Sequence, residues 1–239
     1  MIPIFLISLL AAATYGELLD RYVVDDRWVD YTAWRASDDD RRALQQYIDE
    51  LSDEDLFSLE PEAQIAAWLN LYNAVTVDLI LDHDPVESIK QLDDPWSAKR
   101  VVVAGRELSL DDIEHEILRR DFDEPRIHFA LNCASVSCPP LSATPFVAGS
   151  LDEQLEERTL RTLSDPEWLD PAGCPGTYGS GVIRVSKLFD WFADDFGGES
   201  GVRAFLQRYR PDLRFTVANT RCKLESIEYD WSLNSPPEK

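Results

Sequence analysis

The stretch from Pro61 to Asp82 constrains the fold of this 239-residue chain more than any other. Proline suits a first helical position, where its missing N–H leaves no bond unmade. Behind it Ile65, Trp68, Leu69, Tyr72, Val75, Thr76, Leu79 and Ile80 recur at helical spacing. His83-Asp84-Pro85 then ends the helix, because a residue before proline is steered away from helical geometry. With 44% hydrophobic residues, seven Trp and ten Phe, the chain has ample material for a core around that helix.

The flanking sequence supplies the other elements. Ser37 caps a helix over Asp38–Leu51 with acidic residues in its first turn. Arg100–Ala104 reads as a strand, Gly105-Arg106 as its turn and Glu107–Ser109 as the return. Ser109-x-x-Asp112 opens a helix over Leu110–Arg120, and Ser150-x-x-Glu153 opens another to Leu163. Between them Ile127–Leu131 alternates like a short strand and runs into a loop containing Cys138-Pro139-Pro140. Residues 170–181 form a loop rich in Gly and Pro. A strand at Val182–Val185, helices at Leu188–Phe196 (capped by Ser186) and Ser200–Tyr209, and a strand at Leu224–Tyr229 complete the chain. Helices outnumber strands, so the expected fold is α+β: a helix-rich single domain around a small, mostly antiparallel central sheet. It spans residues 19–234, after a signal-like or N-terminal helical segment (1–18) and before a polar tail (235–239).

A net charge of −22 is spread along the chain and disfavours nucleic acid and anionic membrane surfaces as partners. Lysine is scarce and arginine plentiful, a composition that fits adaptation to high salt, where counterions screen self-repulsion. Ile2–Ala13 is too short to span a bilayer, and no other segment is suited to do so. Its apolar run ends in Ala11-Ala12-Ala13 like a signal peptide, although no Lys or Arg precedes it, so export is expected, with a cytoplasmic location as the alternative. Cys133, Cys138, Cys174 and Cys222 are too few for a disulfide scaffold and include no C-x-x-C pair. If the protein is exported, one or two disulfides are possible; if it is cytosolic, all four should be thiols.

The residues suited to chemistry gather around Arg126–Leu141, RIHFALNCASVSCPPL. Cys133 follows the expected strand, where a rigid element positions what comes after it, and is a candidate nucleophile with histidines nearby. Glu114 lies on the apolar face formed by Leu110, Ile113, Ile117 and Leu118; an inward carboxylate requires a partner or a shifted pKa. His115 is next to it, at the edge of that face. In the expected strand, His128 points away from Ile127, Phe129 and Leu131. Cys138 adds a redox pair with Cys133, or with the histidines a metal site of unusual spacing. Asn70 and Asn73 share one side of an apolar helix, where asparagine is unfavourable, so their amides should bond to a loop or donate to an oxyanion. No cofactor motif is present: there is no phosphate-binding Gly-rich loop, G-x-S-x-G elbow, H-E-x-x-H or EF-hand.

AAWLNLYNAVTVDLIL (66–81), ELSLDDIEHEIL (107–118), RIHFALNCASVSCPPL (126–141), VSKLFDWFADDF (185–196) and YDWSLN (229–234) resemble, in order, successive blocks of the domain-of-unknown-function family DUF547. VDYTAW (29–34) resembles the segment that follows the signal peptide in bacterial members. The resemblance implies no established activity. Bacterial members are often exported; plant members carry the domain behind a coiled coil and are discussed as interaction proteins, an extension this sequence lacks. The plant motif keeps equivalents of Asn70, Asn73, Glu114, His115 and Cys133 but not of His128 and Cys138. Three readings follow. One is a cysteine-dependent hydrolase or acyl transferase: Cys133 as nucleophile, His115 or His128 as base, Glu114 orienting the base, Asn70 or Asn73 donating to the oxyanion, and an unspecified small-molecule or peptide substrate. The second is a thiol-disulfide protein using Cys133 and Cys138. The third is a non-catalytic interaction module in which the polar residues fix the fold.

Overall fold

The structure is a computed structural model that describes residues 13–237 apart from 84, 176 and 177. Residues 1–12 of the signal-like segment expected at 1–18 therefore lie outside the described residues, and its last four residues begin the first helix. In chain order the elements are α1 (Tyr15–Tyr22), β1 (Val23–Val24), β2 (Trp28–Val29), α2 (Tyr31–Arg35), α3 (Asp38–Asp53), α4 (Pro61–His83), β3 (Val101–Val103), β4 (Arg106–Leu108), a π-helix (Asp112–Leu118), α5 (Arg119–Asp121), α6 (Leu151–Ser164), β5 (Leu169–Asp170), β6 (Gly181–Val185), α7 (Leu188–Trp191), α8 (Gly198–Tyr209), α9 (Arg214–Val217) and β7 (Cys222–Ser226). Short 3₁₀ turns join several of them.

α4 is the hub. Every residue from Trp68 to Val77 is buried, so the helix is enclosed on all sides rather than along one stripe. α2, α3 and the π-helix pack against it. α3 begins as its sequence requires, with the Asp40 N–H donating to the Ser37 hydroxyl at 3.3 Å. A second apolar cluster forms around Phe129, Phe189, Phe196, Leu206 and Tyr209, between the β5–β7 sheet and α8.

The α+β class holds, and three of the four strand pairings are antiparallel among the described residues. Among the described residues the strands are divided among three small sheets rather than gathered in one: β1–β2, β3–β4 and β5–β6–β7, with β6 and β7 parallel. The β3–β4 turn falls at Ala104-Gly105, one residue before the expected position. Both residues have positive φ (49° and 75°), which suits the twist of a two-residue hairpin.

Three local expectations are corrected. Ile127–Leu131 is not a strand: Pro125–Phe129 is a 3₁₀ helix, and residues 127–131 are all buried. Pro125 presets its first φ, the Glu124 carboxylate accepts the Arg126 N–H, and an alternation of five residues has no meaning where neither face is exposed. His128 is thus buried with its neighbours, not on an opposite face. Leu110–Arg120 is not a plain α-helix but a π-helix running into α5. Its reciprocal Ser109–Asp112 cap is present, with Asp112 N–H to Ser109 Oγ at 3.1 Å and Ser109 N–H to Asp112 Oδ2 at 2.6 Å. The last expected strand ends at Ser226, and the following residues form an irregular strap bonded to the backbone of residues 134–137.

Candidate functional site

Cys133 sits in a loop held by asparagines. Asn73, from the middle of α4, accepts the Asn132 N–H and donates to the Ala130 carbonyl, each at 2.9 Å. Asn132 accepts the Ala134 N–H at 3.0 Å and donates to the Pro139 carbonyl at 2.8 Å, so one side chain ties both ends of the loop. Ala134 adopts φ 60°, a left-handed conformation that alanine rarely takes unless its surroundings impose it. Here the C-terminal strap imposes it. The Asn234 N–H donates to the Ala134 carbonyl at 3.1 Å, and the Asn234 carbonyl oxygen of the side chain accepts the buried Tyr31 hydroxyl at 2.9 Å. The Val136 and Ser137 N–H groups donate to the Ser232 and Asp230 carbonyls.

This scaffold surrounds the Cys133 sulfur with polar groups. The Ser135 hydroxyl lies 3.1 Å from it and the Tyr229 hydroxyl 3.2 Å. The Cys133 N–H donates to the Cys138 sulfur at 2.8 Å. Both cysteines are free thiols, Cys133 half-buried and Cys138 buried. The hydrogen bond to Cys138, with those to Ser135 and Tyr229, lowers the Cys133 pKa against opposing burial. Burial first, and then the hydrogen bond with Cys133 and the Cys133 charge, raises that of Cys138. Cys133 is therefore the first of the pair to ionise.

Glu114, on the π-helix, is raised to about 7 by burial and then by the Cys133 charge, with the Tyr72 hydroxyl, 3.3 Å from Oε2, opposing. His128 Nδ1 lies 4.0 Å from the other Glu114 oxygen. Its Nε2 is 2.7 Å from Asp195, which also receives two bonds from Arg119 at 2.6 and 2.9 Å. Burial opposes ionisation of Asp195, but the bonds from His128 and Arg119 hold it well below the usual carboxylate range. Asp195 is therefore the acceptor, His128 Nε2 carries the hydrogen, and Nδ1 faces Glu114 with its lone pair. Burial keeps the His128 pKa low, and its ring stacks on Phe192 at 4.0 Å. His115 is lowered by burial and by the Arg119 charge, and its Nδ1 contacts Arg119 at 3.0 Å.

These groups line a cavity of about 210 Å³, small for a ligand site, where the two apolar clusters meet. Cys133, Cys138, Glu114, His115 and His128 all face it, together with Tyr72, Asp111 and a wall of Trp96, Trp191, Phe192, Tyr229 and Trp231. Among the described residues, no group of three or more His, Cys, Asp or Glu is arranged to hold a metal ion.

The structure thus brings Cys133, Cys138, Glu114, His115 and His128 to one cavity; Asn70 and Asn73 do not line it, and Asn73 stands behind it as the anchor of the Cys133 loop. The Asn70 amide forms a two-way clip with Phe146, donating to its carbonyl at 2.8 Å and accepting its N–H at 2.9 Å. Both asparagine side chains hold backbone groups, and neither lines the cavity in which an oxyanion would form. Among the described residues, neither imidazole is a hydrogen-bond partner of the Cys133 sulfur. Sequence reasoning missed Tyr72, Ser135, Arg119, Asp195 and Tyr229. The last two lie in the 185–196 and 229–234 blocks, whose WFADDF and YDW patterns carried no chemical reading alone. It also left open the pairing of Cys174 with Cys222, which form a disulfide joining the loop before β6 to β7. Alkylation in denaturant, followed by intact-mass measurement, will therefore add two labels without reduction and four after it.

No curated protein and no solved structure matches the chain. Three of the five blocks read from the sequence fall within residues 56–161, and that stretch matches the family model described as protein of unknown function, DUF547.

Proposed function

We propose that the chain is a cysteine-dependent hydrolase or acyl transferase with Cys133 as nucleophile. The observation that carries this is the Cys133 sulfur in an aromatic-walled cavity, contacted by two hydroxyls, with Glu114 and His128 lining the same space. In the thiolate form Ser135 and Tyr229 donate to the sulfur and supply the stabilisation that an adjacent imidazolium provides in other thiol enzymes. A carboxyl with a midpoint near 7 can both take and return a proton at neutral pH.

Cys133 passes its proton to Glu114, and the thiolate attacks an amide or thioester carbonyl. The S–C bond forms as the C=O pair moves to oxygen. Collapse expels the amine or thiolate, which takes the proton from Glu114. Water, deprotonated by Glu114, then attacks the acyl-enzyme, and the Cys133 sulfur leaves as thiolate and takes that proton back from Glu114, which restores the starting state. The Tyr72 hydroxyl, 3.3 Å from Oε2, orients Glu114, and His128, held by Asp195, lines the same cavity with Nδ1 4.0 Å from the other oxygen. The base expected from the sequence was an imidazole oriented by Glu114; here the carboxyl itself carries the proton.

The test is iodoacetamide modification of native protein across pH. The midpoint for Cys133 should lie below the free-thiol value of about 8.5. Tyr229→Phe should raise it, and Cys133→Ser should abolish modification. A midpoint at or above that of a free thiol would defeat the proposal.

A thiol-disulfide role is the second reading, favoured by the 2.8 Å contact between the Cys133 N–H and the Cys138 sulfur. It requires a Cys133–Cys138 linkage after mild oxidation, read by peptide mass. For location we propose export to an oxidising compartment, a reading the Cys174–Cys222 disulfide favours.

A further inference from the structure

The cavity wall suggests what the substrate carries. Among the described residues, the acidic side chains lining it are Asp111 and Glu114, and neither Lys nor Arg lines it. The nearby cations are already committed. Arg119 is paired with Asp195 and lies over the Phe192 ring at 4.7 Å. Lys90 lies over Trp231 at 4.8 Å, so that ring already holds a cation. With His128 also stacked on Phe192, the rings left to a ligand are Trp96, Trp191 and Tyr229.

Trp191 is 43% exposed, a large apolar side chain left open to solvent. Its ring centroid is 4.8 Å from that of Tyr229, and the two planes are tilted by 48°, so the faces diverge instead of stacking flat. Trp231 touches Tyr229 at 4.5 Å and Trp96 at 5.7 Å. Electron-rich ring faces attract cations, most strongly when water is excluded, and adjacent carboxylates add to this. Anionic ligands are disfavoured by the same lining.

We infer that the cavity recognises a substrate bearing a cationic ammonium group a few atoms from the carbonyl that Cys133 attacks, with Trp96, Trp191, Tyr229 and Asp111 as its ammonium subsite. This rests on the cavity being the substrate site of the proposed thiol enzyme. The Tyr229 ring faces the ammonium while its hydroxyl reaches the Cys133 sulfur, so one residue couples recognition to the nucleophile. The cavity volume of about 210 Å³ admits a small ammonium headgroup and a short acyl chain, not a folded partner.

The test compares choline with its uncharged isostere 3,3-dimethylbutan-1-ol, with potassium chloride matching ionic strength. Each is added to full-length protein while the rate of Cys133 alkylation and the tryptophan fluorescence are followed. Choline should protect Cys133 at concentrations about tenfold below those the alcohol requires, the preference expected from a desolvated cation–π contact. Asp111→Asn and Trp191→Ala should each reduce that preference. Equal or better protection by the alcohol, or a preference unchanged in Asp111→Asn, would overturn the inference. If Cys133 is unreactive in the absence of ligand, the thiol-enzyme reading fails by itself. Fluorescence titration with the two compounds then still decides the ammonium subsite.

Discussion

Replacing Glu114 by Gln is expected to stabilise the protein by roughly 3 kcal/mol above about pH 8, and by almost nothing below about pH 4. The sign follows from linkage. Glu114 titrates near 7 in the folded chain and near 4.5 when unfolded. Below the unfolded value both states hold the proton and no penalty exists. Between 4.5 and 7 the folded state binds more protons than the unfolded one, so stability falls as pH rises. Above 7 the full cost of a buried carboxylate beside Cys133 is present. Gln keeps an acceptor for the Tyr72 hydroxyl and carries no charge. Chemical denaturation of both proteins at intervals between those pH values checks the prediction; a pH-independent difference would mean that Glu114 is not titrating where burial and the Cys133 charge place it. If Glu114 is the proton carrier, the same variant loses turnover across the whole range, so stability and activity move in opposite directions. Because the Cys133 charge is the second cause of the raised pKa, Cys133→Ala should shift the stability transition toward lower pH.

Asn73→Ala should cost about 2–6 kcal/mol. Asn73 is 2% exposed, and its amide is the partner of two backbone groups, the Ala130 carbonyl and the Asn132 N–H. Truncation strands both beside a new void, and each stranded group costs roughly 1–3 kcal/mol. The loop that carries Cys133 is anchored at that point, so Cys133 alkylation should lose its depressed midpoint even at temperatures where the variant remains folded. Asn70→Ala, which removes the equivalent clip to Phe146, should cost a similar amount of stability and leave the alkylation midpoint unchanged. Thermal unfolding and alkylation of the two variants side by side separate anchoring of the fold from anchoring of the nucleophile.

Much of the fold is legible from local physics. The capping serine of α3, the proline that begins α4, the reciprocal cap at Ser109 and the apolar spacing of α4 depend on residues within a turn or two of one another, and the structure has each where those rules put it. Glu114 was conspicuous for the same reason, as a carboxylate among Leu110, Ile113 and Ile117. The 3₁₀ turn at Pro125–Phe129 was not legible, because its five residues offer too short a pattern to distinguish burial on all sides from alternation. The π-helix was not legible either: its extra-wide turn is selected by what packs around it.

By itself the sequence determined the helix-rich α+β class, the buried hub and the small set of thiol, imidazole and carboxylate side chains from which a site could be made. Only the tertiary structure decided how they are paired. Asp195 meets His128 across 67 positions and Tyr229 meets Cys133 across 96. At such separations nothing in local propensity or spacing favours one partner over another. The choice is made by chain packing, which brings the C-terminal strap over the asparagine-held loop. That packing assigns the hydroxyls to the sulfur, the imidazole to Asp195, and both asparagines to the backbone.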